Sequence, residues 1–131
     1  MAELEEIVLR LPLAPNAELR AVDALDRMLA RHRARHHVER RAAGQARFAL
    51  VEACLNAIEY GRPATQEEMD VRLALEGNEL RISVVNPGGL SARPSAARRG
   101  HGLKIIHAFM DRVRYFTDGR GTRVEMVKRL A

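Results

Sequence analysis

The stretch Phe48–Gly61, FALVEACLNAIEYG, has the periodicity of an amphipathic helix. Its apolar residues are spaced by three or four positions, which predicts one buried face made of Phe48, Val51, Leu55 and Ile58. Glu52, Asn56 and Glu59 repeat this spacing one residue later and are expected to border that face. A carboxylate and a carboxamide one turn apart could act as a general base and as a neutral oxygen ligand for Mg²⁺. The alternative is a solvated helix flank without a chemical role.

Size and composition are those of a globular protein. The 131 residues fit one domain, with 47% apolar and 30% charged residues. No apolar run approaches the roughly 20 residues that cross a bilayer, and the acidic start MAELEEIVLR does not resemble a secretory signal. Cys54 is the one cysteine and has no CxxC partner, so we expect a packing residue. These features favour a cytoplasmic protein with no membrane partner.

The net charge of +5 and the sequence pI near 10.3 would suit an anionic partner. The densest basic run, residues 31–41, has no aromatic residue that could stack on bases, so we expect no direct binding of nucleic acid. Its three histidines lack the cysteine or paired carboxylate that a tetrahedral metal site needs. The run therefore predicts a solvated face.

The first half of the chain predicts one strand followed by two helices. Residues 7–13 alternate apolar and polar side chains, with a proline near the end that favours an edge strand. A first long helix is expected from Pro15 to about His36. The polar stretch from there to Arg47 could carry further helical turns, although Gly44 falls within it.

The second half predicts a hairpin, a third helix and another strand pair. Residues 71–75 and 80–84 alternate around a two-residue Gly77-Asn78 turn, whereas residues 91–99 read as a loop. A helix of about three turns is expected to start at Gly100-His101-Gly102, followed by strands near residues 114–118 and 124–130. Because this order lacks strict βαβ alternation, we predict an α/β two-layer sandwich with a mixed, mainly antiparallel sheet and helices on one face.

Glycines at the start of a helix expose unpaired N–H groups and the positive end of the helix dipole to an anion. Gly100 and Gly102 could therefore hold phosphate, or they could form only a turn. Together with Glu52, Asn56 and the turn at residues 86–89, they supply a phosphate cradle, a base, a metal ligand and a purine-contacting turn. This combination predicts a nucleotide-binding site.

Four segments carry a family resemblance that covers nearly the whole chain: FALVEACLNAIEYG, VVNPGGL, RRGHGLKIIHAFMDRV and GTRVEMVKRL. The chain resembles the ATP-binding domains shared by histidine kinases, DNA gyrase and related chaperones. It is most similar to the small anti-sigma-factor serine kinases of bacterial partner-switching systems. The resemblance implies one histidine-kinase-like ATPase domain over residues 1–131, ATP and Mg²⁺ as cofactors, and a homodimer. It also implies a sigma factor and an anti-sigma-factor antagonist as partners.

The resemblance assigns a role to each matching residue. It implies that Glu52 is the base that activates a serine hydroxyl and that Asn56 is the Mg²⁺ ligand. It implies contacts with the adenine at Asn86, Gly88 and Thr122. Gly100 and Gly102 would lie at the phosphates, with Arg99 and Leu103 beside them among the nucleotide-binding residues.

The segment VVNPGGL departs from the family pattern, which has an aspartate followed by glycines at alternating positions. Here those positions read Asn86, Gly88 and Leu90. An asparagine can accept the hydrogen bond of the adenine amino group, but it lacks the negative charge that strengthens that bond. The alternative to a kinase is therefore a non-catalytic binding module on the same fold. A sensor-kinase fragment is disfavoured because the chain leaves no room for a phosphoacceptor helix pair.

Overall fold

Five strands and three helices make up the parts of the chain that the computed structural model describes, which are residues 4–60, 68–86, 96–118 and 121–131. Their order matches the prediction, with bounds β1 Leu4–Pro12, α1 Glu18–Arg33, α2 Arg40–Tyr60, β2 Glu68–Glu76, β3 Glu79–Asn86, α3 Ala96–Phe109, β4 Arg112–Asp118 and β5 Gly121–Arg129. For residues 60, 96–102 and 118 only the backbone is described.

The five strands form one sheet in the order β1-β2-β3-β5-β4, and each pair of neighbours is antiparallel. β1 and β4 are the edges, which confirms the edge position predicted for the first strand. Alternate residues of each central strand are buried beneath the helices, among them Leu73, Leu80, Ile82 and Met126. The helices therefore cover one face of the sheet, and the predicted two-layer sandwich is confirmed.

The β2–β3 hairpin turns at Gly77 and Asn78, as predicted. Gly77 has a φ of 59°, while Asn78 has no positive φ. This combination is typical of a type II′ turn, whose first central residue needs the conformational freedom of glycine. The turn also meets the end of the chain, because the Leu130 backbone N–H donates to the Asn78 carbonyl oxygen at 2.8 Å.

Helix α2 extends further towards the N-terminus than its apolar periodicity indicates. It begins at Arg40 and passes through Gly44, because one glycine inside a helix costs only about 1 kcal/mol relative to alanine. The predicted further turns before Arg47 are thus present. The first long helix is shorter than predicted, since α1 spans Glu18–Arg33.

The buried face of α2 differs from the predicted one. Small side chains and one leucine make that face, namely Ala46, Ala49, Leu50, Ala53, Cys54 and Ala57. Val51, Leu55 and Ile58 are half-buried, and Phe48 is 45% exposed. The prediction was wrong because alanines carry little weight in an apolar pattern, although their small size lets a central helix approach the sheet and its neighbours closely. Phe48 instead contacts Phe109 of α3 edge-on, with ring centroids 5.7 Å apart.

Truncation of two leucines on α2 distinguishes the observed buried face from the predicted one. Leu50→Ala should lower the free energy of unfolding by about 2–5 kcal/mol, because Leu50 is fully buried and its loss leaves a cavity. Leu55→Ala is the matched control on the same helix and should cost less than half as much, since Leu55 is half-buried. Urea unfolding of both variants measures the difference. Equal losses would contradict the observed orientation of α2.

Candidate functional site

Asn86 and Thr122 lie directly opposite each other in the antiparallel register of β3 and β5. Both belong to the alternating set of residues in their strands that point towards the helices, so their side chains lie on the face that the helices cover. Asn86 is only 5% exposed, although it ends a strand. Tertiary structure thus brings together two residues that stand far apart in the sequence and that were both predicted to contact adenine.

Glu52 and Asn56 lie one turn apart on α2 and are both half-buried. The helix packs against β3 and β5, the two strands that carry Asn86 and Thr122. The predicted base and the predicted metal ligand therefore belong to the helix that covers the strands of the adenine residues. Glu59 is exposed, which agrees with its lack of an assigned role.

Two of the predicted site residues carry buried oxygen atoms without a hydrogen-bond partner. In residues 4–60, 68–86, 96–118 and 121–131, three buried side-chain oxygens have this property: Glu18 Oε1, Asn56 Oδ1 and Thr122 Oγ1. A buried acceptor without a partner costs about 1–3 kcal/mol, and such atoms are few in native proteins. The oxygen of Asn56 suits a hard cation and that of Thr122 suits a polar ligand group. These residues therefore fit the Mg²⁺ and nucleotide that the resemblance implies.

Helix α3 begins at Ala96, so the predicted start at Gly100 is wrong. Its backbone includes Arg99, Gly100 and Gly102, and Leu103 is half-buried. The alanines and arginines at residues 96–99 are strong helix formers, which accounts for the earlier start. The N–H groups left unpaired at this helix start are those of residues 96–99, while Gly100 and Gly102 lie within the helix. Gly88 falls outside the described residues.

Hydrogen bonds from Lys128 connect the C-terminal end of α3 to α2, the helix that carries Glu52 and Asn56. The sequence pattern alone did not single out this lysine. Lys128 Nζ donates to Gln45 Oε1 on α2 at 2.7 Å and to the Phe109 carbonyl oxygen on α3 at 2.6 Å. Asp111 Oδ1 lies 4.0 Å from the same nitrogen. A cation also interacts favourably with the carbonyl end of a helix. The sequence does contain a feature that indicates this role: Lys128 continues the alternating series of Val124 and Met126, whose side chains are buried.

Cys54 and the histidine-rich run serve packing and surface contacts. Burial, together with the nearby charge of Glu18, raises the pKa of the Cys54 thiol to about 12, so Cys54 is the expected packing residue and not a nucleophile. His32 Nε2 lies 3.1 Å from Asn78 Oδ1 and its ring stacks on that of His36. Among the described residues no helix has the length and apolar character needed to cross a membrane.

Comparison with known proteins places this geometry among ATPase domains. Residues 16–128 match the sequence profile of the histidine kinase-like ATPase domain. The chain is 29% identical over 98 residues to an anti-sigma F factor of Clostridium acetobutylicum, a match that covers 65% of this chain and 68% of that protein. It is 34% identical over 94 residues to an anti-sigma F factor of Pasteuria penetrans, which covers 60% and 63%. The chain thus matches about two thirds of the length of these relatives.

Two solved structures share the fold. One contains the RsbU and RsbW domains of a Mycobacterium tuberculosis protein, with a TM-score of 0.76 and 22% identity over 96% of this chain and 32% of that one. The other is the histidine kinase domain of a blue-light activated kinase of Erythrobacter litoralis, with a TM-score of 0.57 and 16% identity over 91% and 61%. At these identities the likeness concerns the fold alone, and it confirms the predicted fold class.

Proposed function

Because the chain belongs to the family of histidine kinase-like ATPase domains, we propose that it is an ATP-binding anti-sigma factor. In this function it sequesters a sigma factor and phosphorylates a serine of an anti-sigma-factor antagonist. The names of the two curated relatives support the regulatory role. The observation that carries the proposal is the pair of buried, unpartnered oxygens on Asn56 and Thr122, because both belong to residues predicted to meet the ligand.

Each residue of the site has a role that its position permits. Asn86 accepts a hydrogen bond from the adenine amino group, and Thr122 on the neighbouring strand donates or accepts another. Asn56 Oδ1 would hold Mg²⁺, which would offset the negative charge of the phosphates. Glu52, one turn away on α2, takes the proton of the serine hydroxyl. The first turn of α3 supplies backbone N–H groups for the phosphates.

A non-catalytic binding module is the second candidate, and the residue at position 86 favours it. The family pattern has an aspartate there, whereas this chain has a buried asparagine. Isothermal titration with ATP and Mg²⁺ separates the two functions. Micromolar affinity is the result expected for an ATP-binding regulator. If no heat of binding is detected up to millimolar nucleotide, that proposal is overturned and the non-catalytic binding module remains.

Restoring the family aspartate should strengthen nucleotide binding. In Asn86→Asp the acceptor gains a charge, and a charge-assisted hydrogen bond exceeds a neutral one by about 1 kcal/mol. The ATP dissociation constant should therefore fall about fivefold to tenfold. Asn78→Asp makes the same chemical change in the turn at the other end of β3 and is the matched control. Titration calorimetry measures both, and equal effects would contradict an adenine contact at position 86.

The proposed partners follow from the same similarity. The sigma factor and the anti-sigma-factor antagonist are both proteins, so the chain needs exposed docking surfaces besides the nucleotide site. We also expect a homodimer in this function. Gel filtration of the purified protein alone measures the homodimer, and gel filtration with the antagonist measures the complex between the two proteins.

A further inference from the structure

Within the part of the chain that the structure describes, Lys128 is the one basic residue whose side chain is buried. It is 9% exposed and shares the helix-facing side of β5 with Val124 and Met126, which are buried apolar residues. A buried ammonium group loses its hydration, so a position in such a series is ordinarily apolar. Packing alone therefore does not explain a lysine here.

The contacts of Lys128 hold the C-terminal end of α3. Its Nζ atom donates to the carbonyl oxygen of Phe109, the last residue of that helix, at 2.6 Å. Asp111 ties the same end of the helix to β5. Its backbone N–H donates to the Val127 carbonyl oxygen at 2.9 Å, and its Oδ2 atom accepts the backbone N–H of Arg129 at 2.6 Å. Polar contacts on both sides of Lys128 thus fix the end of α3 to the sheet.

Apolar contacts hold α3 at the same end. Ile106 is fully buried in the core, and Met110, one residue past the helix, is 6% exposed. The ring of Phe109 contacts that of Phe48 on α2 edge-on. The position and direction of α3 are therefore set by its last turn.

The opposite end of α3 is the one that the proposed function assigns to the phosphates. The helix has 14 residues, which gives a length of about 21 Å. A tilt of about 5° at the last turn would therefore move the first turn by about 2 Å. Binding groups must be held within about 0.5 Å of their productive position. The contacts at Phe109 thus control where the phosphate-binding N–H groups lie.

The second acceptor of Lys128 belongs to the side of α2 that carries the proposed base and metal ligand. Gln45 Oε1 accepts from Lys128 Nζ at 2.7 Å. Gln45, Glu52 and Asn56 follow one another at intervals of seven and four residues, so they lie along one side of the helix. All three are half-buried, and α3 packs against α2. One lysine therefore joins the end of α3 to the same side of α2 as Glu52 and Asn56.

We propose that Lys128 is a positioning residue, which rests on the proposed function and deepens it. It sets α3 against α2 and thereby makes the site select nucleoside triphosphates over nucleosides. The adenine residues Asn86 and Thr122 are held by the ladder of β3 and β5, which does not involve α3. The phosphates instead contact N–H groups of α3. Loss of the Lys128 contacts should therefore weaken the binding of phosphates and leave the binding of adenosine intact.

Lys128→Met tests this proposal with ATP and adenosine as the two ligands. Methionine has a similar length and suits the buried apolar series, but it cannot donate a hydrogen bond. The dissociation constant for ATP with Mg²⁺ should rise about tenfold or more, as for the loss of one charge-assisted hydrogen bond. The affinity for adenosine should stay within about twofold, since no phosphate contact is involved. Titration calorimetry measures ATP, and an NMR titration measures the weaker adenosine.

Variants of Gln45 separate this contact from general effects of substitution. Gln45→Glu keeps an acceptor for Lys128 and should retain ATP binding, whereas Gln45→Leu removes the acceptor and should weaken it. The double variant Gln45→Leu with Lys128→Met should bind ATP as well as Lys128→Met does, because both changes remove one contact. Arg129→Met removes the exposed cation next to Lys128 and is the matched control.

Thermal unfolding of the free protein distinguishes positioning from a loss of fold. The carboxylate of Asp111 is 4.0 Å from Lys128 and 45% exposed, so the substitution leaves no buried charge unpaired. Lys128→Met should therefore unfold within about 4 °C of the wild-type protein. If this variant does not fold, Gln45→Leu carries the same test at a half-buried position.

The outcomes separate the role of Lys128 from the function on which it rests. An unchanged ATP affinity of Lys128→Met would overturn the proposed role, and so would an equal loss of affinity for ATP and adenosine. A wild-type protein that binds neither ligand would overturn the proposed function itself.

Discussion

Glu52→Gln should reduce the rate of antagonist phosphorylation by about 10²- to 10⁴-fold, the usual contribution of a general base. Glutamine keeps the size and the polar contacts of the side chain but cannot take the proton of the serine hydroxyl. Glu52 is half-buried at the edge of the buried face of α2. The substitution should therefore change the free energy of unfolding by less than about 0.5 kcal/mol. The affinity for ATP should also stay within twofold.

Incubation with radiolabelled ATP, Mg²⁺ and the cognate antagonist measures this effect. Glu59→Gln is the matched control, because it makes the same change on the same side of α2 at an exposed residue without an assigned role. Labelling should be strong with the wild-type protein and with Glu59→Gln. Equal labelling by Glu52→Gln would exclude Glu52 as the base, whereas a wild-type protein that does not label the antagonist would favour the non-catalytic binding module.

Asn56→Ala should separate ligand binding from fold stability. Its Oδ1 atom is buried without a partner, so its removal takes away an unfavourable acceptor and not a stabilising bond. We expect the unfolding temperature of the free protein to stay the same or to rise. We also expect the affinity for ATP with Mg²⁺ to fall at least tenfold, since the carboxamide oxygen is the proposed metal ligand.

Thermal unfolding with and without ligand measures both effects in one experiment. ATP with Mg²⁺ at about 100 times the wild-type dissociation constant should stabilise the wild-type protein by about 2.7 kcal/mol. At the same concentration, Asn56→Ala should be stabilised by no more than about 1.4 kcal/mol, because its affinity is at least tenfold lower. Asn56→Asp retains an oxygen ligand and should keep most of the Mg²⁺-dependent gain. A drop in the stability of free Asn56→Ala would mean that the residue has a structural role.

Local patterns were sufficient to predict the order of the elements. The hairpin around Gly77 follows from strict alternation on both sides of a two-residue turn, and the edge position of the first strand follows from its proline. Both signals depend on residues that are neighbours in the chain. Candidate residues such as Glu52, Asn56, Asn86 and Thr122 were also found from their segments, although their proposed roles await the experiments above.

Other features depended on contacts between distant segments. The buried side of α2 is made of alanines because the helix lies between α1, α3 and the sheet, an arrangement that no periodicity within α2 encodes. The start of α3 at Ala96 has a local cause instead, because the helix propensity of residues 96–99 outweighs the two glycines. The role of Lys128 appears only when α2, α3 and β5 meet.

The sequence by itself determined the periodicities, the turn chemistry and the residue types of the site, since these arise from interactions over a few residues. Only the tertiary structure decided which residues face each other. It aligned Asn86 with Thr122 and left the oxygens of Asn56 and Thr122 without a hydrogen-bond partner. The physical reason is strand register, because a shift of one residue would turn every side chain of a strand to the opposite face.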